Sequence, residues 1–151
     1  MSARPTVVAN VETQSPMAVF RWPVRVYWED TDAGGVVYHA SYLRFLERAR
    51  TEWLRAQSIE QARLRAERGI LFVVSDMRLR FRAPARLDDE LVATIGAFTR
   101  RSASIAFAQC ILRPRDGVTL LEADVRAACI DAASYRPCRI PDHLFVENPK
   151  A

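Results

Sequence analysis

The chain has 151 residues, enough for one domain, and its 50% hydrophobic and 26% charged residues exclude a largely disordered protein. No run of apolar residues reaches the roughly 18 that a membrane-spanning helix needs. The net charge of +4 comes almost entirely from arginine, because Lys150 is the only lysine. Since arginine binds phosphate and carboxylate, this charge indicates either an anionic partner, such as nucleic acid, an anionic membrane or a phosphorylated small molecule, or only a soluble protein of slightly basic charge.

Residues 1–18 contain several Pro, Ser, Thr and Gln residues and lack the pattern of a secretory signal, so we expect a flexible leader. We expect a single domain over residues 19–142 and a tail over residues 143–151. The cysteine count is odd and no CxxC pair occurs, which argues against a disulfide framework or a zinc site. Reduced cysteines in a cytoplasmic protein are therefore expected.

The first predicted element is a strand. Apolar and polar residues alternate from Phe20 to Trp28, which indicates a half-buried strand with Trp28 on its apolar face. Pro23 favours a sheet edge or a bulge, because proline lacks the backbone N–H that a central strand needs.

Two helices follow. Apolar residues recur at helical spacing from Tyr42 to Trp53, which predicts an amphipathic helix over residues 41–57 with Ser41 as its N-cap. A shorter helix over residues 58–68 is expected to end at Gly69.

The remainder predicts strands joined by polar turns. They are expected over residues 70–83, 90–99, 103–112 and 120–130. One strand, then helices, then four strands predicts an α+β fold, with an antiparallel five-stranded sheet wrapped around one long central helix.

The stretch EDTDAGGVVYHASY, from Glu29 to Tyr42, joins the first strand to the long helix. Its Asp-x-Asp start resembles a calcium-binding loop. However, such a loop needs Asp or Asn where Gly34 stands and Glu where Ser41 stands, so a metal site is not expected. Familiar nucleophile and nucleotide-binding motifs are also missing from the sequence.

A carboxylate placed just before a helix offers another chemistry. Asp32 follows the strand, Gly34 and Gly35 leave room for a ligand, and His39 stands where the helix begins. Unpaired N–H groups at a helix N-terminus can stabilise an oxyanion, and Asp32 can serve as nucleophile or general base. The alternative is that Asp30 and Asp32 only cap and turn the chain.

The segment FRWPVRVYWEDTDAGGVVYHASYLRFLERARTEWLR resembles YbgC-type acyl-CoA thioesterases, which belong to the 4-hydroxybenzoyl-CoA thioesterase family. FVVSDMRLRFRAPARLDDEL also resembles this family, and the resemblance runs from about Phe20 to Pro141. It implies a hotdog fold and acyl-CoA hydrolysis without a cofactor. It also implies a homo-oligomer, either a dimer or a dimer of dimers (a homotetramer), with active sites between protomers.

The resemblance also implies roles for individual residues. Asp32 matches the catalytic carboxylate, and His39 matches the active-site histidine, whose backbone N–H polarises the thioester carbonyl in related members. Gly34, Gly35 and Tyr38 match the loop that shapes the acyl pocket. Four arginines after the helix are candidates for the phosphates of CoA. These are Arg82, Arg86, Arg101 and Arg115.

Other functions compete with hydrolysis. A non-catalytic acyl-binding adaptor or sensor is the main alternative, because the resembled branch is associated with the Tol–Pal envelope complex. Tol–Pal or phospholipid-synthesis proteins are therefore candidate partners. The expected location is cytoplasmic, with peripheral attachment to the inner membrane as an alternative. Nucleic-acid binding is not expected, because no recognised motif or stacking platform accompanies the basic charge. A hotdog hydratase also pairs Asp with His, but the motif matches the thioesterases instead.

Overall fold

The computed structural model describes residues 19–145, so the expected leader and the last six residues lie outside the described residues. Two α-helices and five strands make up the domain, and a short 3-10 helix over Trp28–Asp30 precedes the first α-helix. The elements in chain order are β1 Phe20–Arg25, α1 Ser41–Ala56, α2 Gln61–Arg68, β2 Ile70–Phe81, β3 Glu90–Arg100, β4 Ser104–Arg113 and β5 Val118–Asp131.

The strands form one antiparallel sheet in the order β1-β3-β4-β5-β2. β1 and β2 are therefore the two edges, and Pro23 lies on an edge strand opposite Val92, as predicted. The register of β2 against β5 shifts between Val74 and Asp76, which marks a bulge in the long β2 strand. The predicted α+β architecture, a five-stranded antiparallel sheet with one long helix, is confirmed.

α1 packs on β1, β3 and β4 and buries its apolar stripe against the sheet. Phe45, Leu46 and Ala49 are fully buried, and Tyr42 is 3% exposed. Burial of each of the larger apolar side chains stabilises the folded protein by about 1.5–3 kcal/mol. The start of the helix is therefore held firmly at one end of the sheet.

The first strand is shorter than the sequence predicts. β1 ends at Arg25, and Trp28 lies in the 3-10 helix with 80% of its surface exposed, so its placement on the buried face is wrong. The cause is local, because the Asp30 carboxylate accepts a hydrogen bond from the Tyr27 N–H over 2.8 Å. That bond turns the chain out of the strand conformation and ends the alternation.

The helix boundaries also differ slightly. Ala40, rather than Ser41, is the N-cap of α1, and its cap contains no side-chain hydrogen bond. Ser41 is the first helical residue and is buried, so its predicted capping role is wrong. α2 begins at Gln61, so the predicted start at residue 58 is wrong, and it ends at Arg68 as predicted. Gly69 is its C-cap, and its φ of 65° is the left-handed conformation that glycine adopts without strain.

The chain continues to pack on the domain beyond the expected boundary at residue 142. Leu144 and Phe145 are buried, and the Phe145 ring stacks on Trp53 with a centroid distance of 5.5 Å. The Arg100 guanidinium donates to the backbone oxygen of Leu144 over 2.9 Å. Leu144 and Phe145 of the expected tail therefore pack on the domain.

Candidate active site

The loop that contains Asp32 is a tight turn closed by backbone pairing. Thr31 and Val37 form an isolated antiparallel bridge, and the Asp32 N–H donates to the Val36 oxygen over 2.9 Å. The Gly35 N–H donates back to the Asp32 oxygen over 3.1 Å. Gly35 has a φ of 79°, a conformation that L side chains rarely adopt. A glycine at this position therefore allows the turn to close without backbone strain.

The Asp32 carboxylate lies on the exposed side of this turn. Its Oδ1 accepts a hydrogen bond from the Gly34 N–H over 2.8 Å, while Oδ2 has no hydrogen-bond donor among residues 19–145. A Cβ at Gly34 would lie 3.0 Å from Asp32 Oδ1. The turn therefore fixes one carboxylate oxygen and leaves the other available to a ligand or a water molecule.

The neighbouring acid, Asp30, has a structural role. It is 2% exposed, and its side chain accepts the Tyr27 N–H described above. Its backbone oxygen accepts the Tyr38 N–H over 2.8 Å. Both acids therefore form turn-capping hydrogen bonds, and Asp32 differs from Asp30 in that its carboxylate is exposed.

His39 lies next to Ala40, the N-cap of α1, and thus near the start of the helix, as the sequence predicts. Within the described part of the chain, the backbone N–H groups of His39 and Ala40 have no hydrogen-bond acceptor. Both lie at the positive end of the helix dipole. The exposed His39 ring packs beside the Tyr38 ring, with centroids 4.5 Å apart and an interplanar angle of 57°. Asp32, the glycines, Tyr38 and His39 thus occupy one continuous stretch between β1 and α1.

A second segment supports this stretch from outside, and sequence reasoning did not identify it. Ala85 is fully buried, and its backbone oxygen accepts the Val37 N–H over 2.9 Å. The Ala85 N–H donates to the Tyr42 hydroxyl over 3.0 Å. Burial raises the pKa of that hydroxyl above its ordinary value, while the hydrogen bond from Ala85 lowers it. Ala85 therefore bridges the turn and the first turn of α1.

A buried ion pair holds the Ala85 segment in turn. Arg113 Nη1 lies 3.1 Å from Asp89 Oδ2, and their side chains are 13% and 7% exposed. The same Asp89 oxygen accepts the Arg86 N–H over 2.9 Å. The hydrogen bond to Asp116 is the main reason that the pKa of Arg113 lies above its usual range. Arg115 lies 3.6 Å from the other Asp89 oxygen, which makes it part of this cluster.

The predicted CoA-binding arginines occupy different environments. Arg82 forms two hydrogen bonds to Glu122 Oε2, over 3.1 and 2.8 Å, so its guanidinium is already paired. Arg86 and Arg101 are exposed, and neither side chain has an ion-pair partner among the described residues. Arg86 directly follows Ala85, the residue whose backbone supports the Asp32 turn.

A recess of about 100 Å³ lies between α1 and the sheet, further along the helix. Its floor is apolar, with Leu54, Ile105 and Phe107, whereas Arg50 stands at its polar side. Arg50 donates to the buried Gln109 over 3.0 Å, and burial lowers the pKa of its guanidinium. The recess can hold a small apolar group beside a charged one.

Residues 19–145 contain no group of three or more His, Cys, Asp or Glu side chains arranged to hold a metal ion. No helix in this part of the chain is both long and apolar enough to cross a membrane.

Comparison with known families agrees with this geometry. The family model described as the thioesterase-like superfamily matches residues 26–146, which include the Asp32 turn, α1 and the whole sheet after it. The chain belongs to this superfamily. Within the thioesterase-like superfamily, its curated relatives place it among the YbgC proteins. It is 48% identical over 129 residues to the acyl-CoA thioester hydrolase YbgC of Escherichia coli, covering 85% of this chain and 95% of that one.

Two further relatives agree. The chain is 43% identical to the acyl-CoA thioesterase YbgC of Haemophilus influenzae, over 83% of this chain and 90% of that one. Among solved structures, a probable thioesterase from Bartonella henselae superposes with a TM-score of 0.76 at 36% identity, covering 82% of this chain and all of the other. This thioesterase-like chain therefore has the hotdog architecture that the sequence predicts.

Proposed function

We propose that this protein hydrolyses the thioester of an acyl-CoA to a free acid and CoA. The observation that supports this most strongly is an exposed Asp32 carboxylate held in a glycine turn directly before a helix N-terminus. A thioester needs no metal for cleavage when a carboxylate attacks or activates water and a donor polarises the carbonyl. The acyl-CoA thioesterase names of the YbgC relatives support the same substrate class.

Asp32 acts either as the nucleophile or as the general base. As nucleophile, its oxygen bonds to the acyl carbon, the C–S bond breaks, and water then hydrolyses the resulting anhydride. As base, Asp32 takes a proton from water, the hydroxyl adds to the acyl carbon, and the CoA thiolate leaves and is protonated. Both routes consume one water and release one acid and one thiol. The free Oδ2 of Asp32 suits both, because no donor within residues 19–145 holds it.

The N-terminus of α1 provides oxyanion stabilisation in either route. The thioester carbonyl oxygen gains negative charge in the transition state, and the His39 N–H, which has no acceptor within residues 19–145, is available to donate to it. The helix dipole favours the same charge. The His39 imidazole is exposed and takes a secondary role beside Tyr38.

For the phosphates of CoA we favour Arg86 and Arg101 over Arg82. Guanidinium groups bind phosphate through paired N–H donors, and those donors are free in Arg86 and Arg101 within the described residues. Arg82 would first have to leave Glu122. Charge removal at Arg86 should raise KM for acyl-CoA without lowering kcat, because such a contact binds substrate and transition state equally.

We also propose a homo-oligomer, a dimer or a dimer of dimers. β2 is an edge strand, and Val73, Val74 and Phe81 on it are exposed, which leaves both backbone and apolar groups open to a second copy. Light scattering after size exclusion tests the assembly. Tol–Pal or phospholipid-synthesis proteins are the partners that the YbgC resemblance suggests. Co-purification from cells tests this association.

The decisive experiment is a thiol-release screen of the purified protein against short, medium, long and aromatic acyl-CoAs. Asp32→Asn should lower kcat by about 10²–10⁴-fold, the usual contribution of a catalytic base. Asn keeps an oxygen that can accept the Gly34 N–H, so the turn is retained. Glu29→Gln is the matched control, because Glu29 is an exposed acid nearby and has no ion-pair or hydrogen-bond partner in residues 19–145.

The same screen separates hydrolysis from a non-catalytic acyl-binding adaptor. An adaptor would bind acyl-CoA or an acyl group without releasing thiol, and Asp32→Asn would not change its thiol-release rate. Turnover by wild type that Glu29→Gln retains and Asp32→Asn loses would exclude the adaptor. Full activity of Asp32→Asn would refute the mechanism.

A further inference from the structure

The site depends on the relative placement of two neighbouring parts, the Asp32 turn and the first turn of α1. The two parts are joined by the short segment from Val37 to Ala40, in which the Tyr38 N–H donates to the Asp30 oxygen and the Tyr38 oxygen accepts the Ser41 N–H, each over 2.8 Å. Val37 pairs with Thr31 on one side and donates its N–H to the Ala85 oxygen on the other. Ala85 in turn donates its N–H to the Tyr42 hydroxyl on α1.

Ala85 therefore hydrogen-bonds through its backbone to both parts from outside the segment that joins them. It is fully buried, so an unpaired N–H or C=O there would have no water to replace its partner. The contact is thus expected to be kept in the folded protein. Its position, however, depends on what fixes the segment from Pro84 to Asp89.

That segment is anchored at Asp89. The carboxylate binds the Arg113 guanidinium at 3.1 Å and the Arg86 N–H at 2.9 Å. Arg113 also donates to the Pro84 oxygen over 3.3 Å, which ties the start of the segment to its end. The Asp89 backbone oxygen accepts the Val26 N–H over 3.0 Å, which attaches the segment to the chain just before the 3-10 helix.

We propose that Tyr42, Asp89 and Arg113 are positioning residues that act through Ala85 to set the His39 N–H relative to the Asp32 carboxylate. The activity part of this inference rests on the proposed function. The three side chains do not touch the reacting atoms. They connect the end of β4 to the oxyanion-binding end of α1, and no motif in the sequence links them to catalysis.

Tyr42→Phe tests the inference with the smallest change. The ring remains and keeps its edge contacts with Phe45 and Phe81, while the acceptor of the Ala85 N–H is removed. We expect kcat and kcat/KM to fall together by about tenfold with KM unchanged, the pattern of a lost transition-state interaction. Tyr135→Phe is the matched control, because Tyr135 is 66% exposed and its hydroxyl has no hydrogen bond in the described residues.

A second readout does not depend on turnover. Hydrogen exchange of the Val37 and Leu43 amides, measured by nuclear magnetic resonance, should be about tenfold faster in Tyr42→Phe than in Tyr135→Phe. Unchanged exchange would overturn the inference whatever the substrate is. A merely structural role would lower the melting temperature and leave kcat at 25 °C within twofold of wild type, and that result would also overturn it.

A double-mutant cycle tests the shared route. Asp89→Asn keeps the shape of the side chain but removes the charge that pairs with Arg113. If Asp89→Asn does not fold, Arg113→Lys is used in the cycle in its place. If both sites act through Ala85, the double variant with Tyr42→Phe should lose much less activity than the product of the single losses. Losses that multiply would refute a common route. If wild type turns over and Tyr42→Phe keeps full activity, the positioning role is refuted and the proposed function is not. If wild type shows no turnover, the proposed function itself is refuted.

Discussion

The two glycines of the Asp32 turn should respond differently to the same substitution. A Cβ at Gly34 would lie 3.0 Å from Asp32 Oδ1, closer than ordinary contact, so the carboxylate must move by a few tenths of an ångström. Gly35 has no atom within 4 Å of its Cβ position, but its φ is 79°. Gly34→Ala therefore displaces the Asp32 carboxylate, whereas Gly35→Ala strains the backbone.

The expected magnitudes follow from these two geometries. A misplacement of 1 Å can cost about 100-fold in rate, so a shift of a few tenths of an ångström to half an ångström should cost roughly tenfold in kcat for Gly34→Ala. Its free energy of unfolding should change little. Gly35→Ala should lose about 1 kcal/mol of folding free energy, because an L residue is disfavoured in the left-handed conformation. That loss corresponds to a decrease of about 4 °C in Tm for a domain of this size.

The assay is thiol release at 25 °C with calorimetric melting of the same samples. Gly35→Asn serves as a check, because asparagine tolerates positive φ better than alanine does and should recover part of the lost Tm. The reasoning would be refuted if Gly34→Ala kept full activity. It would also be refuted if Gly35→Ala lost tenfold in kcat with no change in Tm.

Two further predictions concern charge. Hydrogen bonds from Arg113 and Arg82 hold the carboxyl pKa values of Asp116 and Glu122 below their ordinary 3.8 and 4.5. As the pH falls through this range, the unfolded chain therefore binds more protons than the folded chain does. The urea midpoint should therefore be constant above about pH 5 and decrease below about pH 4.5, and a midpoint that rises on acidification would contradict this. Burial raises the pKa of Cys129 to about 12. Iodoacetamide at pH 8 should therefore leave Cys129 unmodified in the native protein and modify it after unfolding. Peptide mass spectrometry measures the extent of modification in each state. Equal modification in both states would contradict its burial.

The sequence was most informative where the pattern is local. Alternation and helical spacing located the five strands and α1, because each pattern reflects which face of one element is buried. The position of Asp32 and His39 in one stretch between β1 and α1 was also predictable, since these residues are close in the chain. The extent of β1 was not, because one hydrogen bond from the Tyr27 N–H to Asp30 ends the strand before Trp28.

The support of the site could not be read from the sequence. Ala85 is an alanine in a turn, and its contacts with Val37 and Tyr42 span more than 40 residues. The ion pair of Asp89 and Arg113 crosses 24 residues and gives no periodic pattern. Contacts of this kind depend on how the sheet brings distant turns together, so they appear only in the folded structure.

The proposed role of Asp32 as the reacting carboxylate is tested most directly by single-turnover thiol release, with wild type and Asp32→Asn in excess over the acyl-CoA that wild type cleaves fastest. We predict that Asp32→Asn releases thiol about 10²–10⁴-fold more slowly, with its melting temperature and its oligomeric state unchanged. Release by Asp32→Asn at the wild-type rate would contradict it.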